Sequence, residues 1–241
     1  MKHSKRLINI LAVLIFIVGT ILGMGVFGLA AWGDMEAFLF DSSVRQEGRM
    51  KLSCPVMIND YEYGKVGVTL DNPLEKTIKN RVQAHISQGY VTLIKEYLEK
   101  VQLEPGEKIK LEWKVQPKNA AYNDLIVMAK VRTLPTYPLT DRQGSCGILV
   151  IDVFNLTGSQ TYSLGIALSI GFIAAGSTLW GINNRPVRGR TRDTFRVLIA
   201  LGLLVFVGIV TSLLGWWLLG AFTLVLMLFA VIAFTASVLQ R

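Results

Sequence analysis

Asn183–Arg196 reads NNRPVRGRTRDTFR, and this stretch decides how the rest of the chain is read. It places Arg185, Arg188, Arg190, Arg192 and Arg196 against a single acid, Asp193, between two long apolar runs. Arginine-rich segments beside membrane helices stay on the cytoplasmic side. The loop therefore sets which way the neighbouring segments face.

Outward from the loop, Leu7–Trp32, Leu164–Ile182, Val197–Leu214 and Leu218–Leu239 contain no Asp, Glu, Lys, Arg or His. A helix of about 18 or more apolar residues crosses a hydrocarbon core of roughly 30 Å. The chain of 241 residues is 51% hydrophobic and 17% charged, more apolar than soluble domains of this length. The pattern predicts four transmembrane helices, at 7–32, 163–182, 197–214 and 218–239. Residues 1–6 form a cytoplasmic start, 183–196 the cytoplasmic loop, 215–217 an outer turn and 33–162 an extracytoplasmic domain. Met1–Arg6 followed by an apolar run also suggests a signal peptide. The run is longer than a signal core of about 7–15 residues, so an uncleaved anchor is favoured.

The net charge of +8 raises nucleic acid as a partner. Its distribution argues against one. The segment 33–162 carries 16 basic and 16 acidic residues. The imbalance comes from Lys2, Lys5, Arg6, the loop arginines and Arg241, all beside apolar runs. That is the signature of membrane topology, with lipid headgroups as incidental contacts. The expected location is the plasma or inner membrane of a bacterium, with both termini cytoplasmic.

Both cysteines, Cys54 and Cys146, fall in 33–162. An even pair outside the cytoplasm reads as a disulfide, and the alternative is two buried thiols. A bridge closing a loop of this length is worth on the order of 4 kcal/mol in the chain-entropy model.

Within the domain, period-two runs predict strands. They cover Leu52–Ile58, Lys65–Leu70, Ile78–Ile86, Lys108–Val115, Asp124–Leu134 and Gly147–Phe154. Gly89–Val101 fits a helix as well as a strand. Asp34–Phe40 is amphipathic, either a helix on the bilayer or a linker under the domain. Asn72-Pro73 precedes one alternating strand, and Leu103-Glu104-Pro105-Gly106 precedes another. On these motifs Val66–Ile86 with Leu103–Val115 resembles bacterial immunoglobulin-like or fibronectin-like modules, over about half the domain. Trp113 lies between the two cysteines in sequence, as the core Trp of immunoglobulin domains does. The fold class expected is a four-helix membrane anchor with an inserted all-β, immunoglobulin-like antiparallel sandwich.

Small residues let membrane helices approach closely. Gly19 with Gly23, and Ala167, Gly171 and Ala175, are the expected packing positions. Trp32, Trp216 and Trp217 are expected as interface anchors, since indole rings straddle lipid and water.

No catalytic, cofactor or metal site is legible. The chain has two histidines and two cysteines, too few for a zinc set once the cysteines pair. There is no phosphate-binding glycine loop and no nucleophile elbow. His85 falls on an outward strand face between charged residues and reads as solvated. The four apolar runs carry no ionisable side chain, which argues against a self-contained ion transporter. The function expected is non-enzymatic: a β domain that engages a membrane or extracytoplasmic protein as an accessory or assembly subunit. The alternative is a permease-like component, whose layout resembles the permeases of mechanotransmitting ATP-driven exporters. A membrane enzyme acting on lipid or cell-wall material stands third.

Overall fold

A computed structural model describes residues 2–41, 48, 50–134, 140–153, 155–187 and 189–239, with the side chains of 2–4, 190 and 233–239 excepted. Helix α1 runs from Lys2 to Leu39. Eight strands follow: β1 Leu52–Ser53, β2 Met57–Ile58, β3 Gly64–Asp71, β4 Ile78–Gln88, β5 Tyr90–Leu103, β6 Lys108–Val115, β7 Ile126–Leu134 and β8 Arg142–Val150. Helices α2 Gly158–Asn183, α3 Arg190–Leu213 and α4 Trp217–Leu239 complete the chain. It divides into two compact units, one of 1–31 with 162–241, the other of 32–161.

In the second unit, β1-β3-β6 form one sheet and β2-β8-β7-β4-β5 another. Alternation dictates their inner faces. Val66, Val68 and Leu70 of β3, with Leu111, Trp113 and Val115 of β6, face Val82, Ala84 and Ile86 of β4 and Val127, Ala129 and Val131 of β7 in one buried core. Each of the valine, leucine and isoleucine side chains contributes about 1.5–3 kcal/mol on leaving water. The domain is thus a two-sheet, sandwich-like structure, and Trp113 is in its core, 3% exposed.

Local chemistry fixes the turns. Asn72, 1% exposed, directs its side-chain amide at the carbonyls of Lys76, Leu103 and Glu104 at 2.9–3.0 Å. Its Oδ1 accepts from the Leu74 amide at 3.1 Å. This one amide side chain pins both the Asn-Pro turn and the turn before β6.

The expected strand over Leu52–Ile58 is two strands. The chain leaves the first sheet after Ser53 and joins the second at Met57, beside β8. Cys54 sits in that crossing and is bonded to Cys146 on β8, with 6.6 Å between Cα atoms. The ambiguous stretch after Gly89 is a strand, the outermost of the five. Gly89, at φ +75°, makes the tight turn into it.

The expected fold class is overturned in three respects. First, three helices among the described residues are long and apolar enough to cross a membrane, Lys5–Leu39, Gly158–Asn183 and Thr191–Leu213, while the apolar stretch at Trp217–Ile232 is shorter. The count of three replaces the four-helix anchor and removes the argument that returned Arg241 to the cytoplasmic side. Second, the sheet is not wholly antiparallel, because β2 and β8 pair in parallel, Met57 with Leu149 and Ile58 with Val150. Third, the domain is not all-β. Asp34–Phe40 neither lies free nor breaks from the preceding helix: it continues α1 and buries Ala37 and Phe40 against Ala121, Ile126 and Met128. That apolar patch on the outer face of β7 needs a cover, and the end of α1 supplies it.

Candidate interaction surface

Four strand edges terminate the two sheets. An edge strand offers unpaired backbone groups to another chain unless something blocks it. Strand β1 is two residues long and β2 is two residues long. Strand β2 is also covered: Asn59 donates to the Leu156 carbonyl at 2.9 Å, and Glu62 accepts from the Gly158 amide at 2.8 Å. Strand β6 presents Lys108, Lys110, Glu112 and Lys114 outward, and Glu112 is paired with Lys110 at 2.6 Å and Lys65 at 3.1 Å. Those cations hold the Glu112 carboxyl below its usual range.

Strand β5 differs. It is 14 residues long and leaves Leu93, Ile94 and Leu98 exposed, Leu98 at 53%. It pairs with β4 without a break from Ile78↔Leu103 to Ser87↔Ile94, so its outer side is regular over ten residues. Among the described edges it is the longest, and it carries exposed apolar side chains beside Lys95, Glu96, Glu99 and Lys100.

A polar cluster lies on the outer face of the same sheet. His85 Nδ1 is 2.5 Å from Asp41 Oδ2, and Glu96 Oε1 is 4.0 Å from Nε2. Gln83 bridges Glu96 and Arg132. The expectation of a solvated His85 is corrected: its side chain is 13% exposed, because the end of α1 lays Asp41 across it. Beside it Lys130, 4% exposed, donates its ammonium to the carbonyls of Phe38, Phe40 and Asp41. Those carbonyls lie at the negative end of α1, so a cation there adds hydrogen bonds and suits the helix dipole. Burial pushes the Lys130 pKa down, Asp41 opposes the shift, and Arg132 adds to it. Ser87 Oγ, on the same strand as His85, is buried and committed to the Asn119 carbonyl and the Met128 amide. The cluster is a structural clasp on α1. No group of three or more His, Cys, Asp or Glu side chains gathers to hold a metal among the described residues.

A groove of about 420 Å³ opens beside Lys51, Asp71, Asn80, Lys110, Thr133 and Arg142. Asn80 is 7% exposed and its Oδ1 has no hydrogen-bond partner among the described residues. The groove mixes both signs of charge, which selects no one ligand class.

The first unit holds the remaining expected positions apart from Trp32. A β-carbon on Gly19 would come within 2.8 Å of the Ile173 amide nitrogen, and one on Gly23 would collide with Ser169 and Val205. Ala167, Gly171 and Ala175 are exposed, and Gly171 has open space around it. The side of α2 that meets α1 is another one. Ser169 donates to the Gly19 carbonyl at 2.8 Å, and a β-carbon on Gly176 would lie 2.7 Å from the Ala12 carbonyl. Ser169 and Gly176 are seven apart, two helical turns, a spacing legible in the sequence had Ser been counted among the small residues. Asn9 joins them near one end, accepting from Asn183 at 2.7 Å and from Asn184 at 2.8 Å.

Of the loop arginines, Arg190, Arg192 and Arg196 belong to α3 rather than to a loop, and Arg196 pairs with Asp193 at 3.8 Å. Arg185 stays in the connection, and Arg188 lies outside the described residues. Trp216 is exposed and Trp217 half-buried. Trp32 donates to Glu36 at 3.1 Å and packs 5.9 Å from the Tyr122 ring.

No protein-family model matches the chain, and no curated protein matches it. Among solved structures, a cycloisomaltooligosaccharide glucanotransferase from Paenibacillus sp. is 12% identical over 44% of this chain and 14% of its own, with a TM-score of 0.35. A β-glucosidase from Listeria innocua is 17% identical over 44% of this chain and 16% of its own, at 0.31. The CARDB domain from a Pyrococcus furiosus protein, solved with two metal ions, is 10% identical, covering 46% of this chain and 98% of its own, at 0.34. The chain thus spans well under a fifth of the two enzymes' length. Likenesses this low carry no functional conclusion.

Proposed function

We propose that this is a membrane-anchored, non-enzymatic protein whose two-sheet domain lies outside the cytoplasm and engages another protein chain through the β5 edge. The carrying observation is the contrast among edges: β1 and β2 are short, the outward side chains of β6 are all charged, and β5 is long and regular and carries exposed Leu93, Ile94 and Leu98 among its charges. Strand addition to such an edge gains main-chain hydrogen bonds and buries the alternate side chains. The Cys54–Cys146 bridge suits an oxidising compartment. Lys5, Arg6 and the Arg185–Arg196 cations belong on the cytoplasmic side, with α1 leading the chain out and α2 leading it back.

The test is site-specific photo-cross-linking in native membranes, with the reactive group at Leu98 on β5 or at Lys110 on β6. Adducts from Leu98 and none from Lys110 are expected. Equal labelling from both, or none from Leu98, would sink the reading.

A further inference from the structure

The edge has an internal symmetry that names its partner. Lys95-Glu96-Tyr97-Leu98-Glu99-Lys100 carries charges in the order plus, minus, none, none, minus, plus, the same in either direction. We infer that β5 pairs antiparallel with β5 of a second copy of this chain, joining the two five-stranded sheets into one. The inference rests on the reading of β5 as the interaction edge.

Residues directly opposite one another in an antiparallel pair project from the same face. Under two-fold symmetry the axis must therefore pass through a residue and not between two. The centre of the charge palindrome lies between Tyr97 and Leu98, where no axis can sit. That excludes the register in which Lys95 would face Lys100 and Glu96 would face Glu99. An axis at Lys95, Glu96, Glu99 or Lys100 would set a charge against its own copy.

The two remaining central positions turn the palindrome into attraction. With the axis at Tyr97, Lys95 faces Glu99 twice. With the axis at Leu98, Glu96 faces Lys100 twice, and the exposed Leu98 packs on its copy. Opposite charges and apolar side chains facing one another across the ladder favour the pairing. Both registers lie within Ile94–Leu103, where the strand is regular. Within Ile94–Leu103 the axis at Tyr97 pairs seven residues of each strand and the axis at Leu98 nine, a longer ladder than the usual strand of about five or six residues allows.

The experiment uses the full chain in native membranes and then in mild detergent. A photo-reactive phenylalanine analogue replaces Leu98, and the adduct is identified by mass. An adduct of twice the chain mass supports the inference. An adduct with a different protein alone overturns it and leaves the interaction edge standing. No adduct overturns both.

Charge reversal supplies the second arm. Lys95→Glu and Glu96→Lys are each made alone, then combined with Glu99→Lys and Lys100→Glu respectively. Formation of the Cys54–Cys146 bridge serves as the check on folding. A single reversal in the operative register places two like-charge pairs across the axis and is expected to weaken dimerisation roughly tenfold. Its own double reversal restores it, and the pair that responds identifies the axis. Single reversals without effect, or losses that neither double reversal repairs, overturn the inference.

Discussion

Gly147 and Gly33 meet backbone to backbone: a β-carbon on Gly147 of β8 would fall inside the Gly33 carbonyl of α1. Asp34 closes the same contact by accepting from the Gly147 amide at 3.1 Å. Gly147→Ala is therefore expected to push the end of α1 off the sheet and uncover Phe40, Ile126 and Met128. Hydrogen exchange in the full-length protein should quicken over Trp32–Phe40 and β7, and remain unchanged over β3 and β6. Unchanged exchange near α1 would show that the helix end yields without cost.

Lys130 secures the same helix end from β7. Lys130→Met removes the ammonium that donates to three carbonyls, at a cost of about 1–3 kcal/mol. The pH dependence follows from the lowered pKa. The folded domain releases this proton at a lower pH than the unfolded chain, whose lysine has its ordinary 10.5. Between the two values the unfolded chain holds more protons, so stability rises with pH; below them the contribution is constant. Amide exchange of β7 in wild type should slow relative to Lys130→Met as alkaline pH enters that window. A parallel pair of profiles would refute the shift.

The Cys54–Cys146 bridge spans 92 positions and fixes the point where the chain passes from one sheet to the other. Replacing both by serine is expected to lower stability by about 4 kcal/mol. The same pair tests sidedness. In intact cells or spheroplasts, an impermeant maleimide should label the cysteines only after reduction and mild unfolding. Labelling without reductant would contradict both the bond and its persistence in the cell.

Helix α2 separates the two candidate packing faces. Gly176→Leu should drive α1 and α2 apart, because its β-carbon would already press on Ala12 and Phe16. Gly171→Leu should be close to neutral, since nothing lies within 4 Å of that position. Thermal melting in detergent distinguishes them, and equal losses would restore Gly171 to the interface.

The division between what was legible and what was not follows the range of the interactions. Period-two patterning alone located β3, β4, β6 and the main part of β7, because one side of each strand must leave water. An even pair of cysteines in the segment read as lying outside the cytoplasm was enough to expect the bridge. Apolar length alone marked α1, α2 and α3 as long and apolar enough to cross a membrane. Other features needed the fold. His85 reads as solvated in the linear pattern, and only the course of α1 brings Asp41 onto it. Ala167, Gly171 and Ala175 form a valid small-residue stripe, but helix rotation turns Ser169 and Gly176 to the neighbour instead. Strand β5 alternates too little to declare itself, since apolar side chains stay in water along an unpaired edge. Amino-acid order specifies which groups must be buried or paired locally; which distant surface meets them is settled only when every segment competes for the same space.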